Sequence, residues 1–577
     1  MANKSDPFGD WHRSLSFGLK LGKWSFRASR HAKARAARRR VEELYGPEVA
    51  DAVEAAVRSG RDPNPIIERA RRDLATSEER ERQLANPPPL YGSARWPTAA
   101  DLRPYLRDKT AFNDPRSIML GTYTEDGQSN PAGYVHWDGD GHLLTIAPTR
   151  SGKGKTTIIP NLLRYRGSCV VLDPKGELFE ATSKWRSSLG PVYRIAPLDD
   201  GAGKPVHRFD PVSRVRREAD ARSIAQQMFP HDPRSPSFFA DDAVGFMTAA
   251  IMYVRCKAPP HRQTLATACQ MALLKGQSLL DVAEKMTAFP PSADAARAIS
   301  QKDPTRGLKV LQDTLTSKLY EWKDADIQRS VSGSDVRFES LKDQTATVYI
   351  ELPLDMMKTF SGWLRVVLKT ALDAMLANRR IPDIPVLFVL DEFLNIGSFP
   401  EFRDAIRTHA GAGIRLWFFL QDLYSIEEHY PGASWRPFLN CAVKQFFGVN
   451  DDDTASMVGR YLGHKTEAIR TAGSNANVSS HLAGWSDDAS AHTGFATSEG
   501  VQFVGRPLLT SDEVRELLGG WQGDGWRYGI TDIAGKRPFK TQLVVHEKSE
   551  NCRARLGMMT NGGNHERTDD QIAGPKT

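Results

Sequence analysis

Apolar residues along this chain fall into two spacings. Short, nearly unbroken apolar runs occur at 143–146, 169–172, 192–195, 347–352, 386–390, 416–420 and 444–449. Each has the length of a strand and lacks polar alternation, the pattern of a parallel sheet covered on both faces. Between the third and fourth runs, about 215–332, the spacing is helical, and helices are predicted over 241–255, 264–274 and 310–322. Strands that alternate with helices, interrupted by one long helical stretch, predict an α/β fold with an all-α insertion. Upstream, 41–84 reads as short helices broken at Gly46-Pro47 and Asp62-Pro63, with Pro47 suited to a first helical turn. The run ANPPPLYG at 85–92 reads as a linker. The small polar stretch 471–500 reads as a mobile loop, and residues after Ser549 as a disordered tail. Expected boundaries are 1–88 (basic, helical), 89–214 and 334–548 (two parts of one nucleotide-binding domain), 215–333 (all-α) and 549–577 (tail).

Charge changes this picture at one end. The 577 residues carry a net +7, compatible with a polyanionic partner without demanding one. Residues 11–40 concentrate ten basic residues and no acid, mixed in their first half with Trp11, Leu15, Phe17, Trp24 and Phe26. That composition suits a peripheral contact with anionic membrane, an arm on nucleic acid, or a solvated tail. No apolar window reaches about eighteen residues; the best, 363–376, is broken by Arg365, Lys369 and Asp373. A membrane-crossing helix is therefore not expected. The five cysteines have no C-x-x-C spacing, so neither a disulfide framework nor a zinc site is expected.

The chemistry concentrates after the first strand, in HLLTIAPTRSGKGKTTIIPNLL (142–163). A strand, a loop of small residues and an amphipathic helix form the arrangement that cradles a phosphate chain with backbone N–H groups, a helix N-terminus and a lysine. The candidate nucleotide-binding residues are Ala147, Pro148, Thr149, Arg150, Ser151, Gly152, Lys153, Gly154, Lys155 and Thr156. Two registers of G-x-x-x-x-G-K-[ST] compete. One uses Gly152-Lys153, with Ala147 in the first glycine position and Gly154 where a hydroxyl is usual; the other uses Gly154-Lys155-Thr156, with Thr149 first. The first is favoured because Pro148 then stands in the loop rather than at the end of a strand. A second motif, VLFVLDEF (386–393), is a buried strand ending in two acids. In phosphate-loop motors the first acid holds Mg²⁺ and the second polarises the attacking water, which assigns Asp391 and Glu392. Asp173 and Lys175, at another strand end, fit either a ligand-collecting edge or simple turn chemistry.

PTRSGKG after a strand, IPNLL and VVLDPKGELFEAT together resemble the VirD4/TraG family of type IV secretion coupling ATPases. YGSARWPTAADL, VLDEFLNIG, FLNCAVKQFFGVND and GRPLLTSDEVREL extend the resemblance, in family order, over roughly 90–545. The resemblance implies a RecA-like P-loop fold with a mainly parallel central sheet, and ATP and Mg²⁺ as cofactors. With Gly154 where a hydroxyl is usual, Thr156 or Thr157, one step later on the helix, is expected to join Asp391 at the metal, and the resemblance makes Gln421, at the tip of LWFFLQD, a sensor of hydrolysis. Arg407 and Arg415, with Arg403 third, become candidates for an arginine supplied by a neighbouring subunit. It further implies a homo-hexamer, a DNA or relaxase–DNA cargo, and components of a secretion channel as partners. Family members commonly carry N-terminal transmembrane helices, so this chain is expected to be a variant without them, cytoplasmic and at most peripheral to the inner membrane. Two rival readings are an FtsK/HerA-like translocase unconnected to secretion, and a substrate adaptor whose ATP site has decayed, which Ala147 and Gly154 encourage.

Overall fold

The computed structural model describes residues 34–35, 38–39, 41–108, 114–128, 130–199, 203–229, 237–301, 307–479, 492–522 and 525–557. The chain divides into two compact units, one formed by 1–93 with 464–506, the other by 94–463 with 507–577. The basic segment 11–40 falls almost wholly outside the described residues. Among the described residues, no helix is long and apolar enough to cross a membrane.

In the larger unit the chain enters through β1 (Leu106–Arg107), β2 (Ile118–Tyr123) and β3 (Gly133–Trp137), then runs through β4 (Leu143–Ile146), β5 (Cys169–Leu172) and β6 (Val192–Ile195). It continues with β7 (Thr347–Ile350), β8 (Val386–Leu390), β9 (Ile414–Leu420) and β10 (Val443–Phe446). The smaller unit contributes a two-stranded ribbon, β11 (His464–Ser479) and β12 (His492–Pro507), before β13 (Trp526–Ile533) and β14 (Phe539–Val544) complete the large sheet. Its order is β1-β3-β2-β14-β13-β10-β4-β9-β8-β5-β7-β6. The seven strands from β10 to β6 are parallel. They are the seven expected from the apolar runs, and β4, β5, β7, β8, β9 and β10 are buried at every position. The other five strands form an antiparallel wing that the apolar runs did not announce.

Between β6 and β7 lie the helices Glu218–Met228, Ser237–Lys257, Leu265–Ala272, Gln277–Thr287, Pro290–Ser300, Gly307–Lys318 and Ala325–Ser330. Local signals set their starts: the Thr264 hydroxyl accepts from the Thr267 amide, and the Asp324 carboxylate from the Asp326 and Ile327 amides. Their buried residues, among them Phe246, Ala250 and Leu315, share one apolar cluster with Leu144, Val170 and Phe388 of the sheet. The helical stretch is thus packed onto the strands.

Two expectations are corrected. Within 471–500, β11 runs to Ser479 and β12 begins at His492. A polar ribbon can form strands by backbone pairing without the apolar face that would announce it. The stretch after Ser549 begins as a helix, Glu550–Leu556, which buries Cys552 and whose Arg555 donates to the Leu163 carbonyl (2.6 Å) and lies over the Trp185 ring. In the smaller unit, Pro47 opens helix Pro47–Ser59, left-handed Gly60 closes it, and Asn64–Ala85 follows.

Candidate nucleotide-binding site

The loop between β4 and the next helix begins at Ala147, whose amide donates to the Leu420 carbonyl of β9 (2.8 Å). Pro148 and Ser151 close a turn (3.1 Å). Arg150 and Gly152 have left-handed backbones, with φ of 63° and 86°. Gly152 is needed twice over, because a Cβ there would also lie 2.6 Å from the Trp521 indole. Left-handed Gly152 followed by right-handed Lys153 turns successive N–H groups into one concavity, the geometry of an anion nest. The helix behind it opens with a π-turn, Gly154–Ile158, and continues as Ile159–Arg164.

The two lysines of the loop point apart. Lys153 is buried, with Nζ 2.5 Å from Glu392 Oε1 and 3.1 Å from Asp391 Oδ1. Lys155 is exposed and pairs with Glu547 at 2.9 Å. Thr156 is buried, and its hydroxyl donates to the Gly152 carbonyl (3.0 Å).

Strand order explains how the acids arrive. β9 is inserted between β4, which carries the loop, and β8, which carries the acids. Gln421, just past β9, therefore reaches both sides: its amide donates to Glu392 Oε2 (2.7 Å), and its oxygen accepts from Thr149 of the loop (3.1 Å). Glu392 holds a left-handed backbone, φ 53°, uncommon for a residue with a side chain. Burial pushes the Asp391 carboxyl upward, and the Glu392 charge adds to this against the Lys153 ammonium. For Glu392 burial pushes upward too, but Lys153 and the Gln421 amide outweigh it and hold the group below the usual carboxylate range. Burial opposes the Lys153 charge, yet the two carboxylates overcome it and raise its pKa.

A family described as type IV secretory system conjugative DNA transfer matches residues 106–560. The chain belongs to this family. It is 26% identical to the protein VirD4 of Rhizobium rhizogenes, over 79% of this chain and 65% of that protein. It is also 26% identical to VirD4 of Agrobacterium fabrum, over 74% and 62%, and to the conjugal transfer protein TraG of Escherichia coli, over 74% and 71%. The chain thus spans under two thirds of the length of these VirD4 relatives. Among solved structures, the bacterial conjugative coupling protein TrwBdeltaN70 in complex with sulphate aligns with a TM-score of 0.53 at 14% identity, over 79% of this chain and 96% of that one. TrwB in complex with ADP and Mg²⁺ aligns at 0.51 and 15%, over the same shares. The fold is RecA-like.

Within this family member, the remaining candidates separate by position. Arg407 is exposed on helix Pro400–Thr408. Arg415 is a correction. It is the second residue of β9, about 20 Å from Gln421 at roughly 3.3 Å per residue. It is only 2% exposed, donates to the carbonyls of Arg116, Asp138 and Gly139, and lies over the Trp137 ring. A guanidinium so occupied inside its own chain, at the opposite end of β9 from Gln421, holds its surrounding loops together rather than facing the phosphate loop. Asp173 serves turn chemistry: its carboxylate accepts from the Phe179 amide (2.8 Å) and caps helix Glu177–Ser187. Burial, against that hydrogen bond and aided by the charges of Glu351 and Asp391, pushes Asp173 up to about 7. Sequence reasoning missed Arg527 and Trp521, which touch the loop from behind. The available signal was a lone arginine in a strand, β13, buried at most positions.

Proposed function

We propose that this chain is the ATP-driven motor of a conjugative type IV secretion system, coupling hydrolysis to movement of DNA or a relaxase–DNA complex into the channel. The observation that carries the reading is the continuous contact Lys153–Glu392–Gln421–Thr149, beside Asp391, across three adjacent strands of a RecA-like sheet. Such a set has the parts phosphoryl transfer requires: a phosphate-facing cation, a carboxylate for the water, and an uncharged amide touching both. The family, and the solved structure of TrwB with ADP and Mg²⁺, support ATP and Mg²⁺ as the ligands.

In this reading the N–H groups of 150–153 and the Lys153 ammonium bind the phosphates, with Lys155 outside the set. Asp391 and Thr156 would hold Mg²⁺, which supplies neutralisation of phosphate charge. The fit is favourable: Asp391 Oδ1 is buried with the Lys153 ammonium 3.1 Å away to meet its charge, and the Thr156 hydroxyl lies at the start of the helix behind the loop, its oxygen in contact with the Thr157 hydroxyl (3.3 Å) and its proton directed to the Gly152 carbonyl. Glu392, kept ionised beside Lys153, orients the attacking water and takes its proton. Gln421 reports the state of that carboxylate to the loop through Thr149. Arg407, exposed, completes the site of the next subunit in a homo-hexamer, which a cation supplied in trans requires.

The test is the MgATP hydrolysis rate of the purified chain with and without single- and double-stranded DNA, alongside oligomer mass. DNA-stimulated turnover in a hexamer is expected. Absent nucleotide binding and turnover would overturn the motor and leave an adaptor; turnover with cell-to-cell DNA transfer unaffected by loss of the chain would indicate a translocase outside secretion.

A further inference from the structure

Arg527, in β13, is 2% exposed and has no carboxylate partner among the described residues. Its Nη1 donates to the Ser151 carbonyl of the phosphate loop (2.6 Å); its Nη2 donates to the Leu518 and Gly519 carbonyls (2.9 and 3.2 Å), at the end of helix Ser511–Gly519. The guanidinium carbon lies 5.0 Å from the Trp521 ring centre and 5.9 Å from that of Phe447. Burial pulls its pKa down to about 10, so it is a cation at neutral pH. Carbonyl dipoles and ring faces solvate such a charge without neutralising it. Among the described residues, a positive charge is therefore left without a countercharge directly behind the loop.

The contact also has a direction. The Ser151 carbonyl and the Gly152 N–H belong to one planar trans peptide, so they point opposite ways. Pinning the carbonyl back onto Arg527 aims the Gly152 N–H away from Arg527, towards the concavity. Trp521, 42% exposed, lies against Gly152 itself, and Gly448 approaches Ser151 so closely that a Cβ there would be 2.7 Å from the serine Cβ. Loop, strand and helix end are thereby held as one body.

We propose that Arg527 and Trp521 form a positioning clamp for the phosphate loop, selecting ligands with several phosphates by fixing the loop's N–H groups and adding an uncompensated charge behind them. The proposal rests on the nucleotide reading of that loop. It predicts a preference that grows with phosphate number, which a purely structural arginine would not produce.

The test titrates the full chain with MgATP, MgADP and AMP, by calorimetry and by tryptophan fluorescence, in wild type, Arg527→Gln, Arg527→Lys and Trp521→Leu. Arg527→Gln is expected to weaken ATP about tenfold to a hundredfold, as for loss of a charged hydrogen bond, and AMP by much less. Arg527→Lys, which restores the charge but not the fork, is expected to recover part of the loss. Trp521→Leu is expected to weaken ATP and to remove the nucleotide-dependent fluorescence change. An unchanged ratio of ATP to AMP affinity in folded Arg527→Gln would overturn the clamp. Where that variant does not fold, unchanged ATP affinity in Trp521→Leu, at a partly exposed position, would overturn it instead. Wild type that binds no nucleotide would defeat the underlying reading together with the clamp; wild-type binding that neither variant alters would defeat the clamp alone.

Discussion

Replacing Lys153 by alanine tests the centre of the site before any nucleotide is added. The side chains of Lys153, Asp391 and Glu392 are 11%, 15% and 10% exposed, so solvent screens the triad little. Removing one partner from a buried ion pair costs about 3–5 kcal/mol, mainly because the remaining charge is left uncompensated. Here two carboxylates would be left facing each other. Unfolding of the nucleotide-free chain by urea should therefore show Lys153→Ala destabilised on that scale in the unit that holds the sheet.

The deficit should depend on pH with a definite sign. In wild type the Glu392 pKa is held below its unfolded value, so its contribution is present above the ordinary carboxylate range and lost as pH falls through the folded value. The raised pKa of Lys153 acts only in the alkaline range, since its contribution is full below the unfolded lysine value of about 10.4. Without the lysine, burial acts on Glu392 against only the Gln421 hydrogen bond and the Lys175 charge, so its pKa rises relative to wild type and its ionised form stabilises the fold less. The deficit should be largest near about pH 8 and shrink towards about pH 5. Adding Glu392→Gln to Lys153→Ala removes the second charge and should return about 1–3 kcal/mol as a coupling energy. Wild-type stability for Lys153→Ala at both pH values, or a double variant no more stable than the single one, would refute the triad as the resting state of the site.

Three further outcomes are expected. Glu392→Gln should lower turnover by about 10² to 10⁴ while binding ATP more tightly than wild type, since Lys153 is released; steady-state rates and calorimetry check both halves. Gly154→Ser should fold normally, because an added Cβ would meet nothing within 4 Å beyond its own helical turn and chain neighbours. It should also lower the Mg²⁺ concentration needed for ATP binding; an unchanged requirement would mean that Thr156 already fills the role. Equal mixtures of Lys153→Ala and Arg407→Ala chains should regain hydrolysis that neither has alone, through about a quarter of their interfaces, and no rescue in verified mixed rings would remove Arg407 as the arginine acting in trans.

What a sequence reveals of a fold differs with the physics of each element. Most of the seven parallel strands are buried on both faces and carry few polar positions, so they were legible as nearly unbroken apolar runs, and two acids stood out at the end of one of them. The antiparallel wing was not: β14 alternates buried and half-buried positions, and short alternating runs are easily lost among loops. Arg415 shows a different limit. The family resemblance made it a candidate for an arginine acting in trans, but a strand has two ends, and six residues along β9 separate an arginine at one from the ligand edge at the other. Partnerships such as Thr149 with Gln421 were illegible for a further reason, since they depend on which strand lies beside which.

That strand order has a chemical consequence. With β9 between β4 and β8, the loop and the acids are not neighbours, and what bridges them is one lysine and one amide. In the free site Lys153 rests on Glu392, so the residue proposed to bind phosphate neutralises the residue proposed to act on water. A polyphosphate entering the nest competes for that ammonium, and as the lysine turns towards it, Glu392 loses its strongest partner. Glu392 then keeps the Gln421 hydrogen bond and a strained left-handed backbone that fixes where the carboxylate can point. Loss of the cation raises the proton affinity of the carboxylate, the property a base needs, and it does so when the substrate arrives. The same contact that stabilises the empty site therefore keeps its base weak, which ties the two halves of the Glu392→Gln prediction to a single bond.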